Sequence, residues 1–600
     1  MKKLSLFAAA LLLAGAAAAQ AHKFEWANHT GNSGGDFAYS VATDKDGNVY
    51  SSGKFRNTVD FDPGPGTSNL TAVSTRFDLF ISKFDKDGNF IWVNQLGGVA
   101  DKGTSYLQTD TAGNVYITGY FSGKIDFDPG TGTFELAADT TQDIFVAKYT
   151  PNGELSWAKQ MGYAYNYCIP TAIAVDTFGN VYTTGIFNDT VDFDPGPATF
   201  LLHSLGYGDS YISKLDKEGN FAWAKVFGAI DANIASAGIV ADELGNTYTT
   251  GGFSNIIDFD PGAGVSVLSA KGNQTFVLKL DADGDFAWAN QIEHDASDSK
   301  SSNGGVSAAL DKSGDLYIAG NFSGAADFDP GVALQLLYAD SVDAYVLKLS
   351  KDGDYIWAKQ VGGKSVDNAT CIRTDELENS YLSGTFYEGG DFDPGAGEYT
   401  LNSVGQRDMF LVKLDESGDF VWAKSIGGTG EDQIAMIALD QELSIYSTGN
   451  FIGAADFNPG AGVATLTSYG SSDIFLQKLS PCTPSVAPDT FTTNFCKSYT
   501  FGDVTYTKPG IYKQMLSNSD GCDSLVTLEL TTEVIIDPDT FTTSFCASYT
   551  FGGVTYTKAG IYTQTLSNSK GCDSIVTLKL TNDPIIDMTV TKSGNTLQAA

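Results

Sequence analysis

The chain has 600 residues, of which 42 % are hydrophobic and 66 are glycine, and 72 acidic against 36 basic side chains give a net charge of −36. Such a surface repels phosphate backbones, so nucleic acid is not an expected partner, whereas divalent cations and basic partners are compatible with it. The same acids would also keep a secreted protein soluble without binding anything. Little of the chain has the periodicity of a long amphipathic helix, which favours an all-β fold.

The N-terminus predicts export. Residues 1–21 combine a positive start at Lys2 and Lys3, an apolar run and an A-x-A cleavage site, which is the pattern of a secretory signal peptide. No later apolar stretch is long enough to span a bilayer. We therefore expect a mature protein that begins near His22, is secreted or lies at the cell surface, and does not span the membrane.

A long repeat occupies residues 22–480. The core DFDPG begins at Asp60 and returns six times, the last time as DFNPG, in steps of 64 to 69 residues. A fixed period of this size, in a chain rich in Gly, Tyr and Phe, is typical of propeller blades. Each period contains four strand-like runs, A to D, with DFDPG between B and C. The first set is Tyr39 to Thr43, Val49 to Phe55, Asp78 to Phe84 and Phe90 to Leu96.

The tryptophans predict how the repeat closes. There are seven, yet Trp26 precedes the first strand A, and the seventh strand C, Asp473 to Leu479, has no strand D after it. The sequence therefore predicts a seven-bladed β-propeller in which the N-terminal strand around Trp26 completes the last blade, which would remove an exposed sheet edge. Recurrent aromatics such as Tyr50 and Phe55 are predicted to pack between blades.

A second repeat, with a period of 50 residues, follows a linker at 481–488. We assign residues 489–532 and 533–582 to two small β modules and residues 583–600 to the start of a further one. Modules this small bury little core and usually need a covalent staple, for which we predict Cys496–Cys522 and Cys546–Cys572. Four cysteines allow three connectivities, and the equivalence of the modules favours pairing within each. Cys168, Cys371 and Cys482 have no predicted partner.

Both repeats resemble known families. The long repeat, with GNVY.TG.F, DFDPG and D.F..K.D..G.F.WA, resembles the SBBP repeat family of exported bacterial proteins, which implies a propeller and no shared catalytic set. The short repeat, with C..YT....TYT..G.Y......S..GCDS..TL.LT, resembles modules that precede the sorting domain of proteins exported by the type IX secretion system. That resemblance also implies a secreted or cell-surface location.

The DFDPG segments are candidate calcium sites. In an extended segment Asp60 and Asp62 point the same way, so they could present two carboxylates to one cation beside a sharp turn. Asp-Pro-Gly is also an ordinary turn, which explains the second Asp but not the first. A structural pair with a strand C lysine such as Lys83 is a further alternative. The candidate ligands are Asp60, Asp62, Asp126, Asp128, Asp192, Asp194, Asp258, Asp260, Asp327, Asp329, Asp391, Asp393 and Asp456, with Asn458 completing the last pair.

Motifs for catalysis are scarce. The four histidines include no pair with metal-ligand spacing, and the turns of type Asp44-Lys45-Asp46-Gly47-Asn48 read as hairpin turns rather than calcium loops. We predict a non-catalytic propeller that binds extracellular protein or glycan, with calcium as the one candidate cofactor. The alternative is an extracellular carbohydrate-active hydrolase or lyase. It would need acids, Tyr or Arg that depart from the repeat in neighbouring blades, and irregular segments occur at Tyr163 to Pro170 and Ile292 to Gly305.

Overall fold

The protein is all-β. The computed structural model describes residues 21–99, 102–162, 167–206, 208–294, 304–482, 490–495, 498–501, 504–517, 523–532, 540–567, 573–583, 590–593 and 596–599, and within these ranges it contains strands and no helix. The described residues accordingly hold no apolar helix of bilayer-spanning length. The chain divides into two compact units, the first running to Thr483 and the second lying mainly after it.

Seven repeats of the first unit each form a four-stranded antiparallel sheet, in which strands A to D pair in order. The A strands are Phe37–Thr43, Lys102–Thr109, Tyr167–Val175, Ile234–Ala241, Gly304–Leu310, Asp367–Thr374 and Gln433–Leu439. The B strands are Val49–Phe55, Val115–Asp126, Val181–Asn188, Thr247–Asp258, Leu316–Asp327, Ser380–Asp391 and Ile445–Phe451. The C strands are Asp78–Phe84, Glu135–Tyr149, Asp209–Leu215, Val267–Leu280, Leu336–Leu349, Thr400–Leu414 and Asp473–Pro481. The D strands are Phe90–Leu96, Leu155–Met161, Phe221–Phe227, Phe286–His294, Tyr355–Gly363, Phe420–Gly428 and, for repeat 7, His22–Thr30.

A second hairpin, which we call the DFDPG hairpin, connects strands B and C of each repeat. In repeats 2, 4, 5 and 6 its arms are continuous with strands B and C. In the other three repeats the arms are separate short strands. These are Thr58–Asp60 with Asn69–Thr71, Thr190–Asp192 with Leu201–His203, and Ala454–Asp456 with Thr465–Thr467.

The predicted closure by the N-terminal strand is confirmed. His22–Thr30 pairs antiparallel with Asp473–Pro481, and Trp26 lies opposite Lys478. The backbone N–H of Cys482 donates to the carbonyl of Ala21 at 2.7 Å, which ties the two chain segments together beyond the sheet. The A strands contact one another in sequence, and the A strand of repeat 7 contacts that of repeat 1, so the inner strands form a closed ring.

One row of side chains, Tyr, Lys and Trp, crosses strands B, C and D of every repeat. In repeat 1 Tyr50 lies opposite Lys83, and Lys83 lies opposite Trp92. The lysine Nζ stands 4.7 to 5.1 Å from the centre of the tyrosine ring in all seven repeats, a cation–π geometry. The tyrosines are buried, as predicted from the sequence.

This row joins each repeat to the next. The Nζ of Lys83 and the indole N–H of Trp92 both donate to the carbonyl of Pro151, in the C–D turn of repeat 2. Six of the seven tryptophans, Trp26 included, bond the following C–D turn in this way. Trp422 of repeat 6 differs, because strands C and D of repeat 7 come from opposite ends of the propeller and no turn connects them. The ring of Trp422 packs against the ring of His22, with 5.3 Å between ring centres.

Buried aspartates lie where strand C leaves the DFDPG hairpin, and they contact the next repeat. Asp78 forms an ion pair with Lys102, with 2.8 Å between carboxylate and ammonium and both side chains inaccessible. At three consecutive junctions a second carboxylate takes the place of the lysine. These pairs are Asp343 with Asp367, Asp408 with Asp432, and Asp473 with Asp36. Burial is the main cause that raises the pKa of Asp343 to about 7, and it raises the pKa of Asp36, Asp367, Asp432 and Asp473 to about 6.

The second unit contains two modules of the same design. In the first, Thr490–Phe495 runs parallel to Asp523–Thr532, and Gly510–Ser517 flanks the latter. In the second, Thr540–Phe545, Asp573–Asn582 and Gly560–Ser567 repeat this arrangement. Short hairpins cover each sheet, formed by Tyr499–Phe501 with Val504–Tyr506 and by Tyr549–Phe551 with Val554–Tyr556. Among the described side chains, three form the buried core of each module, Phe495, Leu528 and Leu530 in the first. A last hairpin joins Val590–Ser593 to Thr596–Ala599.

Gly88→Ala tests the closure by the N-terminal strand. Gly88 has φ +82°, and an added Cβ would lie 2.8 Å from the Trp26 ring. The left-handed backbone conformation should cost roughly 1–2 kcal/mol and the overpacking about 1–3 kcal/mol more. The matched control is Gly314→Ala, which has φ +83° and no neighbour closer than 4.0 Å. Denaturant melts should show the larger loss for Gly88→Ala, and equal losses would contradict the packing described for Trp26.

The paired aspartates predict that stability falls as pH rises. A carboxyl with a raised pKa binds more protons in the folded state, so its contribution is complete near pH 4 and is lost as pH rises through about 6 to 7. Asp343→Asn removes one charge of a pair, and it should raise the melting temperature at pH 8 and change it little at pH 4. Asp78→Asn should lower the melting temperature at pH 8, because it leaves the Lys102 ammonium buried without its carboxylate.

Candidate functional site

The DFDPG aspartates stabilise their own loop through hydrogen bonds. Asp60 Oδ1 accepts from the backbone N–H of Asp62 at 3.1 Å and of Ser68 at 2.8 Å, so it closes the loop across eight residues. Asp62 Oδ1 accepts from the N–H of Gly64 at 2.8 Å. The first aspartate, which turn chemistry left unexplained in the sequence, therefore has a structural role.

The same bonds recur in the other repeats. The first carboxylates that accept them are Asp126, Asp192, Asp258, Asp327, Asp391 and Asp456. The second carboxylates are Asp128, Asp194, Asp260, Asp329 and Asp393, and Asn458 Oδ1 accepts the equivalent bond in repeat 7. Among the described residues, no group of three or more His, Cys, Asp or Glu side chains is placed to hold a metal ion. The loops of repeats 1 to 6 thus each offer two carboxylates, and that of repeat 7 offers one, and the Oδ1 atoms of all of them are already engaged.

Sequence reasoning missed the role of the motif's phenylalanine. Phe61 is buried between Phe55 and Phe80, with ring centres 5.3 and 4.9 Å apart, and each of the other copies is also buried. The hairpin also pairs with the preceding repeat, since Gly97 bridges to Asp126, and four more junctions contain the equivalent pair. The invariance of this phenylalanine along the internal copies was the signal available in the sequence.

The predicted pairing of strand C lysines with the DFDPG aspartates is wrong. Lys83 instead lies 3.7 Å from Asp44, a residue of the A–B turn at the opposite end of the sheet. Asp44 also accepts from the N–H groups of Asp46 and Asn48 and from the hydroxyl of Tyr50. Turns of this type are therefore hairpin turns, as predicted, and their carboxylates neutralise the buried ammonium groups.

A patch of aromatic and cationic side chains breaks the repeat on the face that carries the DFDPG hairpins. Lys54 Nζ stands 5.2 Å from the ring centre of Phe37, 5.4 Å from Tyr39 and 4.8 Å from Phe77, and the Arg56 guanidinium lies 5.5 Å from Phe77. Phe37 begins strand A and Lys54 ends strand B, so the group lies at the inner end of this face. All of these side chains are partly exposed.

Two tyrosines of repeat 2 extend the patch, and Tyr167 of repeat 3 lies beside them. Burial, and then the neighbouring phenols of Tyr106 and Tyr120, raise the pKa of Tyr39 above its usual range. Burial and the nearby Tyr167 act in the same direction on the pKa of Tyr120. We call Phe37, Tyr39, Lys54, Arg56, Phe77, Tyr106 and Tyr120 the axial patch.

Backbone irregularity positions the centre of this patch. Each strand A contains a register shift near its start, and in repeat 1 the extra residue is Tyr39. The corresponding residues of the other repeats are small or aliphatic, namely Thr104, Thr171, Ala237, Val306, Thr370 and Ala435. A β-bulge re-aims a side chain, and such bulges are common beside binding sites. Only the comparison of internal copies could have singled out Tyr39 from the sequence.

The cysteines depart from the predicted staples. Cys546 is a free, exposed thiol whose Sγ lies 3.1 Å from Asp583, so the structure does not contain the predicted bond from Cys546 to Cys572. Cys496, Cys522 and Cys572 lie outside the described residues. Cys482, for which we predicted no partner, is disulfide-bonded, whereas Cys168 and Cys371 are buried free thiols.

Comparison with known proteins supports the repeat assignment. Residues 156–185 match the SBBP family, described as a β-propeller repeat. An uncharacterized WD repeat-containing protein of Acanthamoeba polyphaga mimivirus is 24 % identical over 504 residues, which cover 71 % of this chain and 36 % of that protein. The chain thus spans little more than a third of this relative.

Solved structures are more distant. A protein of unknown function from Dyadobacter fermentans aligns over 77 % of this chain and 99 % of its own, with 13 % identity and a TM-score of 0.33. A neuraminidase-like protein of subtype N10 from an influenza A virus of a little yellow-shouldered bat aligns over 77 % and 100 %, with 8 % identity and a TM-score of 0.28. Scores this low say nothing about activity. The repeat family and the repeat-containing relative, together with the strand pairing described above, make this chain a β-propeller repeat protein.

Proposed function

We propose that this protein is a secreted or cell-surface, seven-bladed β-propeller that binds extracellular protein or glycan without catalysing a reaction. The observation that carries the proposal is the axial patch. It gathers aromatic and cationic side chains of adjoining repeats at the inner end of one face, where the other repeats have small or aliphatic residues.

The chemistry of the patch favours a ligand with flat apolar faces and an acidic group. Partly exposed aromatic rings provide a large, rigid contact area at low entropic cost. Lys54 and Arg56 place two cations beside those rings in a protein whose net charge is −36, so the local field differs in sign from that of the molecule. An acidic oligosaccharide, or an acidic and aromatic peptide segment, has both properties.

Export is supported by the sequence. The signal peptide pattern at 1–21 lies outside the described residues, and the resemblance of the C-terminal modules to those of type IX-exported proteins favours the cell surface. In this proposal the two modules serve as spacers between the propeller and the cell surface.

The alternative of a carbohydrate-active hydrolase or lyase fits the patch less well. A lyase of this type would use tyrosine as a base, and efficient bases have a pKa near the working pH. Burial and neighbouring phenols move the pKa of Tyr39 in the opposite direction. The nearby carboxyl of Asp36 is buried and accepts backbone N–H bonds from Asn32 and Arg56, so it is not available to a substrate.

The binding proposal is tested on residues 22–600 with an array of neutral and acidic oligosaccharides and acidic peptides. Tyr39→Ala should weaken binding of an acidic ligand by about tenfold, because aromatic stacking contributes roughly 0.5–1.5 kcal/mol. Lys54→Ala should weaken it further and reduce its dependence on salt.

Lys271→Ala is the matched control, because Lys271 is an exposed lysine of repeat 4 that is not part of the patch. It should leave binding unchanged. Retention of binding in both patch variants would overturn the assignment of the site. Turnover of a bound oligosaccharide by the unaltered protein would favour the enzyme instead.

Calcium binding by the DFDPG loops has a direct test that is independent of the axial patch. Because Asp60 Oδ1 already accepts two backbone N–H groups, we expect thermal melts in EDTA and in millimolar calcium to coincide. A resident ion at one hundred times its dissociation constant would raise stability by about 2.7 kcal/mol. Asp60→Ala should lower stability by roughly 1 kcal/mol in both buffers, whereas Asp60→Asn, which keeps the acceptor oxygen, should not. A calcium-dependent shift that Asp60→Asn abolishes would establish the DFDPG loops as cation sites.

A further inference from the structure

A polar groove of about 660 Å³ lies at the seam where repeat 7 meets repeat 1. One wall is the N-terminal strand at Asn28, His29 and Gly31, and the other is the DFDPG hairpin of repeat 1. Tyr469, from the DFDPG hairpin of repeat 7, also lines it. We call this the seam groove.

The groove opens because this junction lacks a contact that other junctions have. At five junctions the end of strand D pairs with the first aspartate of the next DFDPG hairpin, as Gly97 does with Asp126. No such pair joins Gly31 to Asp60, both of which the structure describes. The junction between repeats 3 and 4 also lacks the pair, but there Phe227 stacks on Phe259 at 6.2 Å and fills the space.

The side chain at the end of strand D is polar at the seam and apolar elsewhere. Repeat 7 has Thr30 at this position, four residues after its tryptophan, where the other repeats have apolar side chains, five of them larger than threonine. Those residues are Leu96, Met161, Phe227, Ile292, Val361 and Ile426. A residual cavity of about 10 Å³ beside Thr30 shows that the small side chain leaves space unfilled.

The groove combines a stacked ring pair with hydrogen-bonding groups. The His29 imidazole lies 4.8 Å from the Tyr469 ring at an angle of 33°, and Tyr469 is 66 % exposed. His29 Nε2 is buried and has no hydrogen-bond partner in the described part of the chain. Burial lowers the pKa of His29, so near pH 7 the imidazole is neutral and adds no positive charge to the groove. The carboxylates of Asp60 and Asp62 and the amide of Asn69 complete the polar lining.

We infer that the seam groove is a second binding site, which takes a neutral sugar unit of a glycan. An exposed ring offers a platform for the apolar face of a sugar, and the hydroxyl groups of a sugar can donate to the carboxylates of Asp60 and Asp62. The two carboxylates disfavour an acidic ligand, and a cationic peptide is the competing ligand that the experiment includes. The inference rests on the proposed binding role of the propeller, and it adds a site and a ligand class distinct from those of the axial patch.

The experiment applies residues 22–600 to an array of neutral oligosaccharides, with an oligolysine peptide included. Tyr469→Ala should weaken binding of at least one neutral glycan by about tenfold. His29→Gln should do the same while preserving the fold, because glutamine occupies this position in repeat 1, where Gln95 Nε2 donates to Asp78 Oδ2 at 2.6 Å.

Tyr338→Ala is the matched control, since Tyr338 lies on the DFDPG hairpin of repeat 5, is 65 % exposed and is remote from the groove in the chain order of repeats. It should leave binding intact. The inference is overturned if no neutral glycan depends on Tyr469 and His29, or if oligolysine alone does. Loss of acidic ligands in Tyr39→Ala, with neutral glycan binding retained, would separate this site from the axial patch, so each proposal can fail without the other.

Discussion

The architecture depends on the strand C lysine of each repeat, which is buried in four repeats and partly buried in the other three. Lys413 is fully buried, and Lys83, Lys348 and Lys478 are nearly so. An ammonium group out of water must be neutralised and hydrogen-bonded, and no single hairpin supplies enough partners. In repeat 1 the partners are a carboxylate of the A–B turn, the face of a tyrosine on strand B and a carbonyl of the next repeat. Each repeat is therefore incomplete until its neighbour is in place.

This dependence explains the closure by the N-terminal strand. An open row of repeats would leave repeat 7 with an unpaired strand C and with no neighbouring turn to receive its lysine. Pairing His22–Thr30 with Asp473–Pro481 supplies both, because Trp26 and Lys478 then bond the C–D turn of repeat 1. The junction of repeats 7 and 1 lacks the hairpin pair that is present at five other junctions. Both candidate sites are found in repeats 7, 1 and 2.

Features that recur in every repeat could be predicted from the sequence, whereas contacts specific to one repeat or one junction could not. Positions that recur in seven copies, such as Tyr50 and Phe55, were correctly assigned to the core because the internal copies constrain one another. The partner of the strand C lysine was wrongly assigned, because the lysine lies too far along its strand to reach the DFDPG aspartates. Lys83 is five residues from Asp78, and so about 17 Å from the DFDPG end of the sheet at 3.3 Å per residue. The sequence correctly predicted that the lysine pairs with an aspartate, but it placed that pair at the wrong end of the sheet.

The sequence by itself determined the number and length of the repeats, the order of the four strands and the use of Trp26 to complete the ring, because these follow from periodicity and from the count of matching segments. It also indicated that the DFDPG turns matter, without showing that Asp60 closes its loop through two backbone N–H groups. The axial patch, the carboxylate pairs and the seam groove were decided by the tertiary structure alone. Each brings together residues of different repeats, and which side chains meet across a junction depends on bulges, on register and on the size of single residues such as Thr30, none of which periodicity specifies.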